Sequence, residues 1–98
     1  MIRLAKVRGE SMAPTLMPGD YMIIIKARTL RPGFVVLVDH PKYGTIVKRV
    51  KSLENDEISL EGDGPDSTST EAMGSIHVKA VRGRVRWAIT APNGFKRI

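Results

Sequence analysis

The 98-residue chain has no cysteine, which excludes a disulfide scaffold, a thiol nucleophile and cysteine-ligated zinc. Two histidines, His40 and His77, are too few for a metal site, and neither a metal nor a cofactor is expected. Long apolar runs are also missing. The longest, Tyr21 to Ile25 and Phe34 to Val38, have five residues each, where a membrane span needs about twenty. Met1 to Val7 carries two basic residues and no apolar stretch, so it does not have the form of a signal peptide. The chain is read as soluble and cytoplasmic, or as membrane-associated if it is a domain cut from a longer protein. Acidic residues are few: ten Asp and Glu stand against sixteen Lys and Arg, a net charge of +6. That balance favours an anionic partner or surface without naming one. The length fits a single domain over residues 1–98, which buries roughly 60–65% of the surface of its unfolded chain.

Glycine and proline, by contrast, recur along the whole chain. Short segments rich in β-branched residues lie between them, the pattern of an all-β domain. Strands are expected at about Leu4–Arg8, Tyr21–Lys26, Phe34–Asp39, Gly44–Leu53, Glu57–Glu61 and Lys79–Thr90. No window has helical periodicity; Ser11–Leu16 has room for one turn, limited by Pro14. Asp66–Thr70 is small and polar and reads as a loop. Arg82, Arg84 and Arg86 alternate with Val81, Gly83, Val85 and Trp87. On a strand this sets three arginines on one face. Such a face is either a phosphate- or membrane-facing strip or a solvated outer surface.

Chemistry concentrates in two places. Ser11 follows the first strand in Gly9-Glu10-Ser11-Met12-Ala13-Pro14-Thr15-Leu16. Gly9 permits a sharp turn there, so a serine hydroxyl can project from the strand end beside backbone N–H groups, as a nucleophile next to an oxyanion hole requires. A plain turn serine would look the same. A serine nucleophile needs a base. Neither His40 nor His77 has a neighbouring carboxylate placed to orient it, which disfavours a Ser-His-Asp triad. Lys48, in Thr45-Ile46-Val47-Lys48-Arg49-Val50, shares a strand face with Ile46 and Val50. Burial on that face would lower its pKa and free the amine to act as a base; the alternative is a lysine that snorkels to water.

Four boxes in order, Gly9–Leu16, Gly19-Asp20, Val47–Val50 and Gly62-Asp63, resemble the type I signal peptidase family and its soluble maturation peptidases, including those that trim superoxide dismutase precursors. The wider clan includes the LexA-like self-cleaving repressors. The resemblance implies a coiled, partly open β-barrel, and the 14 positions from Lys48 to Gly62 leave no room for the large inserted second β domain of the bigger relatives. It implies Ser11 as nucleophile, Lys48 as general base, Ser67 as the serine that hydrogen-bonds the lysine amine, and an Arg49–Asp63 salt bridge. The family's last-box Asp and Arg are replaced by Ser69 and Glu71. Gly9 stands where many relatives have a serine, which leaves the oxyanion hole to backbone N–H groups at Gly9 and Ser11. Met12 and the apolar residues of Tyr21–Ile25 are the expected substrate-pocket walls. The function so implied is limited cleavage of a precursor protein or peptide after small residues. The alternatives are a non-catalytic LexA-like interaction or dimerisation module, or a basic nucleic-acid-binding β domain.

Overall fold

A computed structural model describes residues 2–65, 67–90 and 94–98. Among them are eight strands: β1 (Ile2–Lys6), β2 (Tyr21–Ile25), β3 (Val35–His40), β4 (Gly44–Glu54), β5 (Glu57–Glu61), β6 (Ile76–His77), β7 (Val81–Thr90) and β8 (Gly94–Arg97). A one-turn helix, α1 (Thr70–Met73), precedes β6, and a 3-10 turn over Val78–Ala80 follows it. All pairings are antiparallel, in the order β1-β2-β7-β3-β4-β5-β6, with β8 added to β7. The end strands β1 and β6 do not pair with each other, so the sheet does not close. The domain is all-β, as its punctuation implies.

β3 is the centre of the sheet. Its Val35-Val36-Leu37-Val38 run is buried on both faces, which its unbroken apolar sequence requires. Val35 and Leu37 join one core with Val7, Met12, Leu16, Met22, Ile24, Val85 and Ala88. Val36 and Val38 join a second with Val50, Ile58, Leu60, Met73 and Ile76. The β4–β5 hairpin turns at Asn55 and Asp56, both with positive φ (51° and 64°). A two-residue turn with that backbone matches the twist of the strands it joins.

Several sequence expectations change. The first strand runs over Ile2–Lys6, two residues earlier than the expected Leu4–Arg8. The loop expected over Asp66–Thr70 ends in α1. Ser69 caps it, its hydroxyl accepting the Ala72 N–H at 3.1 Å; Asp66 lies outside the described residues. Lys79 and Ala80 belong to the 3-10 turn rather than to β7. β8 has only four residues and begins at a glycine, too short for a pattern to show. The arginine alternation is broken by two bulges in β7. Ile23 pairs with Trp87 but Ile24 with Val85, so Arg86 is the extra residue on that side. Leu37 pairs with Gly83 but Val38 with Val81, so Arg82 is extra on the other. A bulge resets the in–out alternation, and Val85 and Ala88 both face the core. The three arginines then take separate partners. Arg82 pairs with exposed Asp39 at 3.1 Å. Arg84 lies over the Phe34 ring, 3.5 Å from its centroid. Arg86 donates to the Ile98 carbonyl at 3.4 Å. They form neither a common strip nor a plain solvated face.

Candidate active site

The chain between β1 and β2 forms a loop whose base is closed by backbone bonds. Val7 N–H donates to the Asp20 carbonyl (2.7 Å) and Gly19 N–H to the Val7 carbonyl (3.1 Å). The Asp20 side chain is buried and accepts the Met17 N–H at 2.9 Å. The Gly19-Asp20 box therefore pins the foot of the loop that carries Ser11. Gly9 sits at φ 72°, a left-handed conformation glycine adopts without cost. A single non-helical turn follows, with a cis peptide bond at Ala13-Pro14 and the Leu16 N–H on the Met12 carbonyl at 2.9 Å. Leu16 is fully buried and anchors the turn to the first core.

The turn docks on the segment after β5. The Gly64 N–H donates to the Ser11 carbonyl at 2.8 Å. Thr15 Oγ1 donates to Asp63 Oδ2 at 2.5 Å. Asp63 is in turn held by Arg49, Nε to Oδ1 at 2.9 Å and Nη2 to Oδ2 at 2.6 Å, while Arg49 Nη1 reaches the Gly33 carbonyl at 2.6 Å. The Arg49–Asp63 bridge expected from the sequence is present, in the two-bond geometry that makes such pairs strong. Hydrogen bonding from Arg49, and then from Thr15, holds the Asp63 carboxyl below the usual carboxylate range against the opposing effect of burial. One carboxylate thus ties the Ser11 turn to the strand that carries Lys48. Sequence reasoning foresaw the arginine but not Thr15, because no pattern links positions 48 residues apart.

Lys48 lies in β4 opposite Val36, with Ile46 and Val50 as neighbours on its own face. It is 3% exposed, not snorkelled. Its Nζ is buried and makes no hydrogen bond among the described residues. Removal from water lowers its pKa from 10.5, because an ammonium without an acceptor is costly in such surroundings and a neutral amine is less so.

Gly62 links these parts. In the β4–β5 pairing Val50 faces Leu60 and Arg49 faces Glu61, where the pairing ends; Gly62 follows directly after β5. A Cβ on Gly62 would come within 2.5 Å of both Ser67 Oγ and the Ser11 carbonyl. Ser67 and the Ser11 backbone therefore occupy the space a side chain at 62 would fill. The anticipated hydrogen bond from Ser67 to the Lys48 amine is not formed in this structure.

Ser11, half-buried, lines a groove of about 300 Å³ between β1 and the first half of β4. Both walls are strand edges: β1 pairs only with β2, and β4 pairs with β5 only from Arg49 onward. Met12, Leu16, Met22, Leu37 and Val47 supply apolar lining. Met12 serves the core as well, being 3% exposed. Of the Tyr21–Ile25 segment only Met22 reaches the groove. Tyr21, Ile23 and Ile25 alternate to the opposite face, where they adjoin exposed Ile2, Leu4 and Ile89. His40 is buried and occupied structurally: Nε2 donates to the Met73 carbonyl (2.9 Å) and Nδ1 accepts the N–H groups of Lys42 (3.0 Å) and Tyr43 (3.3 Å). No group of three or more metal-ligating side chains occurs among the described residues, and no helix among them is long and apolar enough to cross a membrane.

No curated protein and no solved structure matches the chain. The Peptidase S24-like family model does, over residues 2–86. This LexA/signal-peptidase-like family comprises serine peptidases and related modules, and the chain belongs to it.

Proposed function

We propose that the chain is a serine endopeptidase with a Ser11/Lys48 dyad, which cleaves a precursor protein or peptide at a limited site after small residues. The observations that carry this reading are the buried Lys48 amine, which has no hydrogen-bond partner among the described residues, and the packing of Ser67 and the Ser11 backbone over Gly62, just past the end of the β4–β5 pairing. A lysine held neutral is a competent base at moderate pH. In the reaction Lys48 Nζ takes the Ser11 hydroxyl proton as Oγ attacks the scissile carbonyl. The resulting ammonium protonates the leaving amine, and an acyl-enzyme remains. Lys48 then takes a proton from the water that attacks the acyl carbonyl and gives it to Ser11 Oγ as the acyl–Oγ bond breaks, which restores the neutral amine and the hydroxyl. The backbone N–H groups of Gly9 and Ser11 hold the oxyanion. Ser67 orients the amine once substrate draws the groups together, since catalytic hydrogen bonds are commonly loose without ligand. The substrate lies extended between the free edges of β1 and β4, with main-chain bonds for affinity and alternate side chains over the apolar floor.

The test is digestion of a protein-derived peptide mixture, with cleavage sites read by mass spectrometry. Ser11→Ala and Lys48→Ala are each expected to lose all turnover while keeping the wild-type circular dichroism, because the two groups act as a unit. Ser67→Ala is expected to lose roughly one to two decades of rate. Near-wild-type turnover in either dyad variant would refute the assignment.

A further inference from the structure

The groove beside Ser11 has an uneven charge. Arg3, Lys6 and Arg8 line it on the β1 side, Thr45, Ile46 and Val47 on the other, and no carboxylate lines it anywhere. All three cations are exposed. The ion pairs among the described residues are Arg49–Asp63 and Arg82–Asp39, and none of the three cations has a side-chain hydrogen bond there. Among the described residues they are therefore unpaired. A cleft lined by one sign of charge concentrates ligands of the other.

The placement suits a strand-shaped ligand. Arg3 shares its face with Ala5, which packs on the first core, while Lys6 alternates to the other face. Arg8 continues past the strand towards Ser11. From Arg3 to Arg8 an extended chain rises about 16 Å, so a ligand segment of some six residues would pass all three. A strand added to this edge projects its side chains alternately to the two faces. An acidic side chain at either parity would meet a cation.

We propose that the groove selects peptides carrying Asp or Glu in the stretch that runs along β1, with Arg3 and Arg8 as the recognition residues. This rests on the peptidase reading and adds to it a class of substrate: an acidic segment to one side of the scissile bond, and small residues at it.

The test uses alanine-rich dodecapeptides with four positions randomised over Asp, Glu, Asn, Gln, Lys and Arg. In the cleavage arm, wild-type products should be enriched in acidic residues on one side of the cut. An Arg3→Glu/Arg8→Glu variant should prefer Lys and Arg there instead, a reversal of about tenfold or more for two exposed charges. In the binding arm, Ser11→Ala is titrated with fluorescently labelled acidic and basic members of the library. The acidic members should bind more tightly, and the difference should shrink as salt is raised. Arg28→Glu/Lys51→Glu makes the same change in net charge at exposed positions outside the groove, and should leave both preferences unaltered. Equal effects of the two double variants would assign the preference to net charge and overturn the proposal. So would an absence of acidic preference in the binding arm. A library that binds with acidic preference but is never cleaved by the wild type would refute the peptidase reading and leave the charge selectivity standing.

Discussion

Lys48 makes the sharpest single-residue case, because its burial opposes its charge. Its folded pKa lies below the 10.5 of an exposed lysine, so between the two values the folded chain holds fewer protons than the unfolded one. Stability then rises with pH across that window, and the full penalty applies below the folded value. Lys48→Met is therefore expected to melt higher than wild type near neutral pH. The gap should close as pH approaches 10.5, which thermal scans at several pH values would measure. A variant that melts lower at every pH would contradict the burial argument. The same lowered pKa predicts that turnover rises with pH as the amine loses its proton. Gly62 makes a second case. Its side-chain direction is occupied by Ser67 Oγ and the Ser11 carbonyl, and neither can withdraw without moving the site. Gly62→Ala should cost about 1–3 kcal/mol through overpacking and lower turnover more than that loss of stability explains. Denaturant melts beside single-turnover rates would separate the two effects. Ser11 and Lys48 were legible as candidates because spacing and strand parity are local. The crowding over Gly62 was not, since it brings the Ser11 turn onto a segment about fifty residues away in the chain.

Between elements, the Arg49–Asp63–Thr15 chain of bonds couples the Ser11 turn to β4. Asp63 has a folded pKa below its unfolded 3.8. Its contribution is thus present above pH 3.8 and lost as pH falls through the lower folded value. Asp63→Asn should destabilise by about 1–3 kcal/mol at neutral pH, and its deficit against wild type should fade on acidification below 3.8. A deficit that persists undiminished at pH 2 would show that the bridge is not its source. Boxes in the sequence foretold this pairing. The β7 bulges were not foretold, because strict Arg-x-Arg-x-Arg alternation looks identical whether or not an extra residue is inserted. The bulges matter for function, since they divert the arginines to Asp39, Phe34 and Ile98 and leave β7 without a continuous basic ribbon.

At the scale of the molecule, two small cores share one strand. Val35 and Leu37 serve the first, Val36 and Val38 the second, so neither core can loosen without disturbing β3. Leu16→Ala and Leu60→Ala, one in each core and both at fully buried positions, should each cost about 2–5 kcal/mol. Each should still unfold in one transition, with Trp87 fluorescence and far-ultraviolet dichroism coincident. Separate transitions for the two halves would show that β3 does not couple them. Because β1 is an end strand of the open sheet and β5 covers β4 only from Arg49 onward, two free strand edges face the groove.

Strand content, the Ser11 and Lys48 candidates and the family were all decided by the sequence, because each rests on local spacing: alternation with period two, glycine at a turn, four boxes in order. The tertiary structure alone decided what those residues meet. Whether Lys48 snorkels or is buried depends on Val36 opposite it, a contact set by β3–β4 register. Whether Ser67 and the Ser11 backbone can both pack over position 62 depends on a glycine there, whose missing side chain leaves them room. The charge of the groove depends on which side of β1 is left unpaired, a consequence of strand order, and strand order is chosen by burying two cores at once, which no single segment encodes.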